Sequence, residues 1–469
     1  MKNSFIRVFS GILVVVLVFG LTACGVPKSD YEDLKDEYDD LKAEFDELKE
    51  KLEELTGKDV DSTKPSDGKE QGENNDNNKD DVDENDTFKV GAIYINSKND
   101  TAGYTFAHHS GIVSAMKKLG LDPEKDLLIR EEVPEDKKKA GEAIDALIGE
   151  GADIIFGISF GYIDAMNEKA TEYPDVIFSH GTGYLANETN FNNYFGRIYQ
   201  ARYLAGIAAG LKSLEIKNNN VGYVAAHTTD YAETASGING FALGVQSVNP
   251  DAKIFVKNLN NWADEKNEKA YAEELIKNFG CGVISQHCDS AQPQIAAENA
   301  GKFGCGYNSD MTPDAPKAHL TAAIWNWDVY YATAIKAAQE CGEASKFVEK
   351  MGGNAYYGGL KEGFVDVSPL SENCAKGTDK AIEAVKKMMV DGEWDVFSGV
   401  KLSIKINEDG SATVTKTDAA LESNGFQYKD GKFDVPMENV EVVAAGGASV
   451  DDGVIKGTMN YLVKGVEEV

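Results

Sequence analysis

The stretch Ala152-Asp153-Ile154-Ile155-Phe156-Gly157-Ile158, followed at once by Ser159-Phe160-Gly161-Tyr162, decides the fold class. Its apolar residues do not alternate with polar ones, so it predicts a strand buried on both faces, as in a parallel sheet covered by helices. Working outward, Phe88–Ile95, Val176–His180, Asn220–Ala225, Ala252–Val256, Gly282–Gln286 and Gly304–Tyr307 repeat that strand signature, with helical segments between them. This alternation predicts an α/β architecture. About 380 residues follow Phe88, too many for one open sheet, and two lobes are expected. Lobe 1 is placed at about 88–206 and lobe 2 at about 211–320, each completed by later segments.

The residues before Phe88 carry a different message. A short basic start (Lys2, Arg7) and an apolar core from Gly11 to Leu21 end in Leu21-Thr22-Ala23-Cys24. Such a layout predicts a lipoprotein signal peptide over 1–23, with lipid attached to the Cys24 sulfur. The apolar run is too short for a stable span of about 20 residues. The expected location is the extracytoplasmic face of the cell membrane, lipid-anchored.

Between Gly25 and Asp86 stand 24 acidic and 9 basic residues, nearly half of the chain's net charge of −31. Such a segment repels phosphate backbones, and no Lys/Arg-rich stripe occurs elsewhere, so nucleic acid is not an expected partner. Within it, Tyr31, Leu34, Tyr38, Leu41, Phe45, Leu48, Leu52 and Leu55 alternate spacings of three and four, an a/d seam without Gly or Pro. Residues 24–57 therefore predict an anchored coiled-coil stalk capable of self-association. Residues 58–87, rich in Asp, Asn, Lys, Gly and Ser, predict a disordered acidic linker.

Ligands of doubly wound sheets sit beyond the carboxyl ends of the strands. The loops there hold Asn96 through Tyr104, Ser159-Phe160-Gly161-Tyr162, His180-Gly181-Thr182-Gly183-Tyr184, Gln286-His287-Cys288-Asp289-Ser290, Asn308-Ser309-Asp310 and Ala322 through Trp327. Aromatic faces sandwich a flat ring, while carboxylates and amides engage its edge, so the mix points to a planar, hydrogen-bonding small molecule. The ligand-binding candidates are Tyr104, Phe160 and Trp325 for stacking, and Asp289, Asn308 and Asp310 for edge recognition.

A phosphate loop and a His-Glu-x-x-His motif are missing. The adjacent pair His108-His109 points in two directions on a helix, and a helix-start or pocket-mouth role is expected rather than a metal site. Cys281, Cys288, Cys305, Cys341 and Cys374 lack zinc spacing, and buried thiols are expected. No catalytic residue, cofactor or metal is predicted. Gly206 and Gly210 fall on one helix face, where they are expected to seat a helix tightly on a sheet. Lys401–Phe433 alternates like a hairpin and predicts a peripheral β addition.

From Phe88 onward the chain resembles the basic membrane protein family of ABC-transporter substrate-binding lipoproteins, which includes purine nucleoside receptors. The resemblance rests on Gly91-Ala92-Ile93-Tyr94, Phe156–Gly161, the block Phe195–Gly206, Gly237–Gly244, Val248–Ala252, Gly306–Asp310 and the tail Met459–Val466. It implies a type I periplasmic-binding-protein fold, two Rossmann-like lobes joined by a multi-strand hinge, here preceded by the coiled-coil helix. It also implies a purine held between aromatic rings, with Tyr104 and Asp310 at the family's positions. Trp325 stands where nucleoside-binding members carry a Lys, and Gln286–Ser290 replaces their glycine-rich loop. Ser285-Gln286-His287-Cys288-Asp289-Ser290 together with Trp325-Asn326-Trp327 is similar to the adenine-binding branch.

The resemblance thus implies a non-enzymatic receptor that captures a purine, adenine before a nucleoside, and passes it to an ABC permease. The same module also fits a ligand-sensing receptor for a signalling partner. A surface nucleoside-hydrolysing enzyme fits less well, because it would need a dense carboxylate cluster for metal.

Overall fold

The computed structural model describes residues 87–99, 103–424, 428–429, 432–433 and 440–469. The predicted signal peptide, Cys24, coiled coil and acidic linker up to residue 86 lie outside the described residues. Among the described residues, no helix is long and apolar enough to cross a membrane.

The apolar runs become strands, in chain order β1 (Val90–Tyr94), β2 (Leu127–Arg130), β3 (Ile154–Ile158), β4 (Ile177–Gly181) and β5 (Phe191–Gly196). A second set follows: β6 (Asn220–Ala225), β7 (Lys253–Asn258), β8 (Val283–His287), β9 (Phe303–Asn308) and β10 (His319–Trp325). Two short strands, β11 (Ala355–Gly358) and β12 (Val365–Val367), then return to the first and second sheet respectively. The first sheet runs β11-β5-β4-β3-β1-β2, and the second β12-β10-β9-β8-β6-β7 with the C-terminal strand Val466–Glu468 at its edge. Every pairing in the first sheet is parallel, and β1 and β3 are buried at every residue, as expected of strands covered on both faces.

Both lobes repeat one topology. The order 2-1-3-4-5 of the first sheet recurs as 7-6-8-9-10 in the second, placing a switch point between β1 and β3 and another between β6 and β8. Three connections cross between lobes. After β5 the chain enters the helix Ile198–Glu215, which packs on Ala232–Val248. After β10 the helix Trp327–Glu340 packs back on Gly103–Lys118 of lobe 1, and β11 leads directly to β12. Main-chain bonds tie these crossings together: Arg197 N donates to Gly358 O at 2.7 Å and Asn326 N to Phe364 O at 2.8 Å.

Three strands escape a local reading. β2 is a half-buried edge, β5 carries three polar or small residues among its six, and β10 begins on a buried His319. In β5 the amide of Asn192 is accommodated by donating to Tyr330 Oη at 3.0 Å. Gly206 and Gly210 seat their helix against another helix, which corrects the expectation of a sheet. A Cβ on Gly206 would collide with the Phe241 carbonyl, and one on Gly244 with the Tyr203 carbonyl. The two helices interlock through reciprocal glycines, so their backbones touch. The antiparallel hairpin Val400–Ile406/Ala412–Asp418 forms part of the C-terminal addition.

Candidate functional site

The strand ends of the two lobes meet at Gly103. This residue opens the helix Gly103–Lys118 at φ +85°, and a Cβ there would lie 3.4 Å from both Cβ and O of Asp289. Glycine suits the left-handed backbone here, and the position brings lobe 1 into ordinary contact distance of the loop after β8.

That loop is braced from beneath by buried side chains. Gln286 Nε2 donates to Ser290 O at 2.6 Å and Cys288 O at 3.1 Å, and Gln294 Nε2 donates to Gln286 Oε1 at 3.0 Å. Glu268, fully buried, accepts from the backbone N of Asp264 at 2.9 Å and from the Ser290 hydroxyl. Asp264 in turn caps the helix Glu265–Phe279 by accepting from Asn267 N at 3.1 Å. The same cap sets the preceding Trp262, whose carbonyl accepts from Asp289 N at 3.1 Å.

Held in this way, Asp289 accepts from Asn308 Nδ2 at 2.9 Å. Burial, helped by the charges of Glu268 and Glu233, pushes its carboxyl up to about 7, against the opposing pull of the Asn308 amide. Asn308 stands at φ +66° at the end of β9. Across the cleft Thr182, at the end of β4, also has φ +66°. A β-branched residue there is a true outlier, and such strain collects where structure serves binding. Thr182 lies beside the Tyr104 hydroxyl, which is buried and finds no well-aligned partner. Burial first, then the carboxylates Asp289, Glu233 and Glu135, raise the Tyr104 phenol, while Thr182 acts in the opposite sense.

An aromatic column runs behind Tyr104. Ring centroids are 4.2 Å apart for Tyr104 and His108, 3.8 Å for His108 and Trp327, 4.6 Å for Trp327 and Trp325, and 5.0 Å for Trp325 and Phe195. Trp325 is therefore the last residue of β10 and only 6% exposed, with Trp327 stacked on it and its indole N donating to Tyr307 Oη at 3.3 Å. His108 lies inside the column, where burial lowers its imidazole well below the usual range and Tyr331 Oη approaches Nδ1 at 2.6 Å. His109 turns the other way, to Tyr94 Oη at 3.1 Å.

The six predicted residues thus separate. Tyr104, Asp289 and Asn308 share the interlobe space, and Trp325 stands inside the column. Phe160 is 52% exposed at the rim, tilted against Tyr184 at 6.3 Å. Asp310 turns into its own loop, accepting from Thr312 N at 3.0 Å and Thr312 Oγ1 at 2.6 Å, with His319 Nε2 at 3.5 Å.

The candidates named from the sequence leave out Glu233, Trp262 and Arg202, and also His287, although His287 stands in the quoted loop Gln286–Ser290. Glu233 Oε1 lies 2.9 Å from His287 Nε2, without hydrogen-bond alignment. Arg202 is buried with its guanidinium 3.9 Å over the Tyr307 ring, donating to Gln286 O. Trp262 forms a rim cluster with His227 and Tyr231, at 5.1 and 5.9 Å. Its place just after β7 was the available signal. Among the described residues, no group of three or more His, Cys, Asp or Glu is placed to hold a metal ion, and the five cysteines from Cys281 to Cys374 are free thiols.

Residues 88–394, which span both of these lobes, match the model of the family of PnrA-like ABC transporter substrate-binding proteins. The chain belongs to this Bmp family. It is 32% identical over 317 residues to the putative ABC transporter glucose-binding protein TsgA13 of Haloferax volcanii, covering 67% of this chain and 75% of that one. It is 34% identical over 312 residues to the purine-binding protein BAB2_0673 of Brucella abortus, covering 66% and 83%. A solved ABC transporter solute-binding protein from Conexibacter woesei shares the fold, with TM-score 0.53 at 18% identity over 66% of this chain and 98% of that one. As a Bmp member the chain is a substrate-binding protein of an ABC transporter, a class that carries solutes outside the cytoplasm and converts nothing.

Proposed function

We propose that this Bmp protein captures a purine between its lobes, adenine in preference to a nucleoside, and delivers it to an ABC permease. The observation that carries the reading is a set of buried oxygens without hydrogen-bond partners around Asp289: Tyr104 Oη, Asn308 Oδ1 and Glu233 Oε1. Buried polar atoms are paired in nearly all folded proteins, so a cluster of orphans calls for a ligand. The Asp289 carboxyl, Asn308 Oδ1 and Glu233 Oε1 are acceptors that suit N–H donors on a ligand's edges, while the Tyr104 hydroxyl and the unpaired nitrogens of His287 and Arg202 can serve ring nitrogens. The aromatic rings of Tyr104, Trp327 and Trp325 beside these groups suit a flat ligand, and a purine-binding relative supports the same class. Binding would shift the lobes toward the closed form that a permease recognises. The Leu21–Cys24 pattern supports a lipid anchor at the extracytoplasmic face, and the seam from Tyr31 to Leu55 supports self-association.

Titration calorimetry with adenine, guanine, adenosine and glucose tests the reading. Adenine is expected to bind, and Asp289→Ala to weaken it at least tenfold. Heat from glucose alone would transfer the protein to a sugar, the ligand named for its haloarchaeal relative. Adenine affinity unchanged in Asp289→Ala would remove the site.

A further inference from the structure

Glu233 has no part in the sequence-based site, yet from a separate loop it comes within 2.9 Å of His287, two residues before Asp289, and its charge bears on the Asp289 carboxyl. It sits in the first turn of the helix Ala232–Val248, where the helix dipole favours an acidic side chain. Its side chain is 16% exposed, and its Oε1 is buried without a hydrogen bond. The neighbouring His287 is 0% exposed, and neither ring nitrogen finds an aligned partner. Asn308, 5% exposed, leaves Oδ1 unpaired while its amide nitrogen meets Asp289. Glu233 acts electrostatically on Tyr104 of the opposite lobe and on Asp289 alike. Among the described residues, no lysine or arginine forms an ion pair with either carboxyl group. Two acceptor groups therefore approach one interlobe space, and the buried cation Arg202 is held instead by the Gln286 carbonyl and the Tyr307 ring.

Two acceptors from different loops select a ligand with donors on two edges. A free aminopurine such as adenine has them: an exocyclic amine on the six-membered ring and an N–H on the five-membered ring. Substitution at N9 removes the second donor and leaves one carboxylate facing carbon. We propose that Glu233 accepts the five-membered-ring N–H of a free purine base, and that this contact excludes N9-substituted purines. The proposal rests on the purine reading above and narrows it to unsubstituted bases. A site built around a buried hydrogen bond discriminates strongly against the analogue that lacks it, because its own polar group is then left unpaired.

Calorimetry on the full chain with adenine, 9-methyladenine and adenosine separates the two layers. The wild type is expected to bind adenine at least tenfold more tightly than 9-methyladenine. Glu233→Ala is expected to lower adenine affinity at least tenfold while leaving 9-methyladenine within threefold of its wild-type value. The wild-type ratio needs no variant, so a folding defect in Glu233→Ala leaves the test intact. Equal wild-type affinities for adenine and 9-methyladenine, tighter binding of adenosine than of adenine, or equal losses for both bases in Glu233→Ala would each overturn the role of Glu233. Absence of binding by all three would instead overturn the purine reading beneath it.

Discussion

Asn308 donates its side-chain amide to Asp289 across 2.9 Å while its own backbone is held at φ +66°. The end of β9 thus carries strain so that its amide can meet the carboxyl of the loop after β8. The pairing leaves Asn308 Oδ1 buried without a partner.

The two roles of Asn308 can be separated. Asn308→Gly removes the amide but suits the left-handed backbone, and its stability should stay within about 1 kcal/mol of wild type. Asn308→Ala loses the amide and keeps the unfavourable φ, so it should be roughly 1 kcal/mol less stable than Asn308→Gly. Urea unfolding of both checks the order, and equal stabilities would show that the backbone at this position relaxes freely.

The raised carboxyl of Asp289 sets a pH dependence with a definite sign. In the unfolded chain the group titrates near its ordinary value of 3.8, and in the folded protein near 7. Between those values the folded state binds the extra proton, so stability falls as pH rises through this window. Unfolding of ligand-free wild type and Asp289→Asn between pH 4 and 8 should show wild type losing stability relative to the variant as pH rises. Parallel curves would mean that Asp289 titrates normally.

The glycine-to-glycine helix contact forbids even a methyl group. Gly244→Ala should gain up to about 1 kcal/mol from helix propensity but lose more to collision with the Tyr203 carbonyl, leaving a net loss of roughly 1–3 kcal/mol. Chemical denaturation reads the balance. A stabilised variant would show that the helices move apart at little cost.

Trp325, enclosed between Phe195 and Trp327, acts first as a packing residue. Its replacement by Ala should cost about 3–5 kcal/mol of stability, in line with other large aromatic deletions. A loss below about 1 kcal/mol would place the indole outside the packed column.

Cys24 is tested by location rather than by affinity. Cys24→Ser should move the protein from the membrane fraction to the soluble one with purine affinity unchanged. Persistence in the membrane fraction would exclude lipid on Cys24 as the anchor.

Fold and site were legible to different depths. Ala152–Ile158 and its counterparts state their structure locally, because a strand buried on both faces must be apolar throughout. β5 hides behind Asn192 and Asn193, whose amides are tolerable in a sheet only because distant partners such as Tyr330 receive them. At the candidate site, the rule that ligands lie beyond strand ends pointed to these loops, and there Asn308 donates to Asp289 while a Cβ on Gly103, next to Tyr104, would lie 3.4 Å from it. Asp310, one loop residue further, turns to Thr312 instead.

The order of apolar runs, the acidic lead segment and the family blocks are properties of the chain read residue by residue, and they determined a two-lobed α/β receptor. Which loops face each other was decided only in three dimensions, by the sheet order that sets β1 beside β3 and β6 beside β8. Hydrophobic periodicity records how deeply a side chain is buried and carries no record of its partner. That is why Glu233, ordinary in sequence, emerges only when helix and loop bring its carboxylate within 2.9 Å of His287.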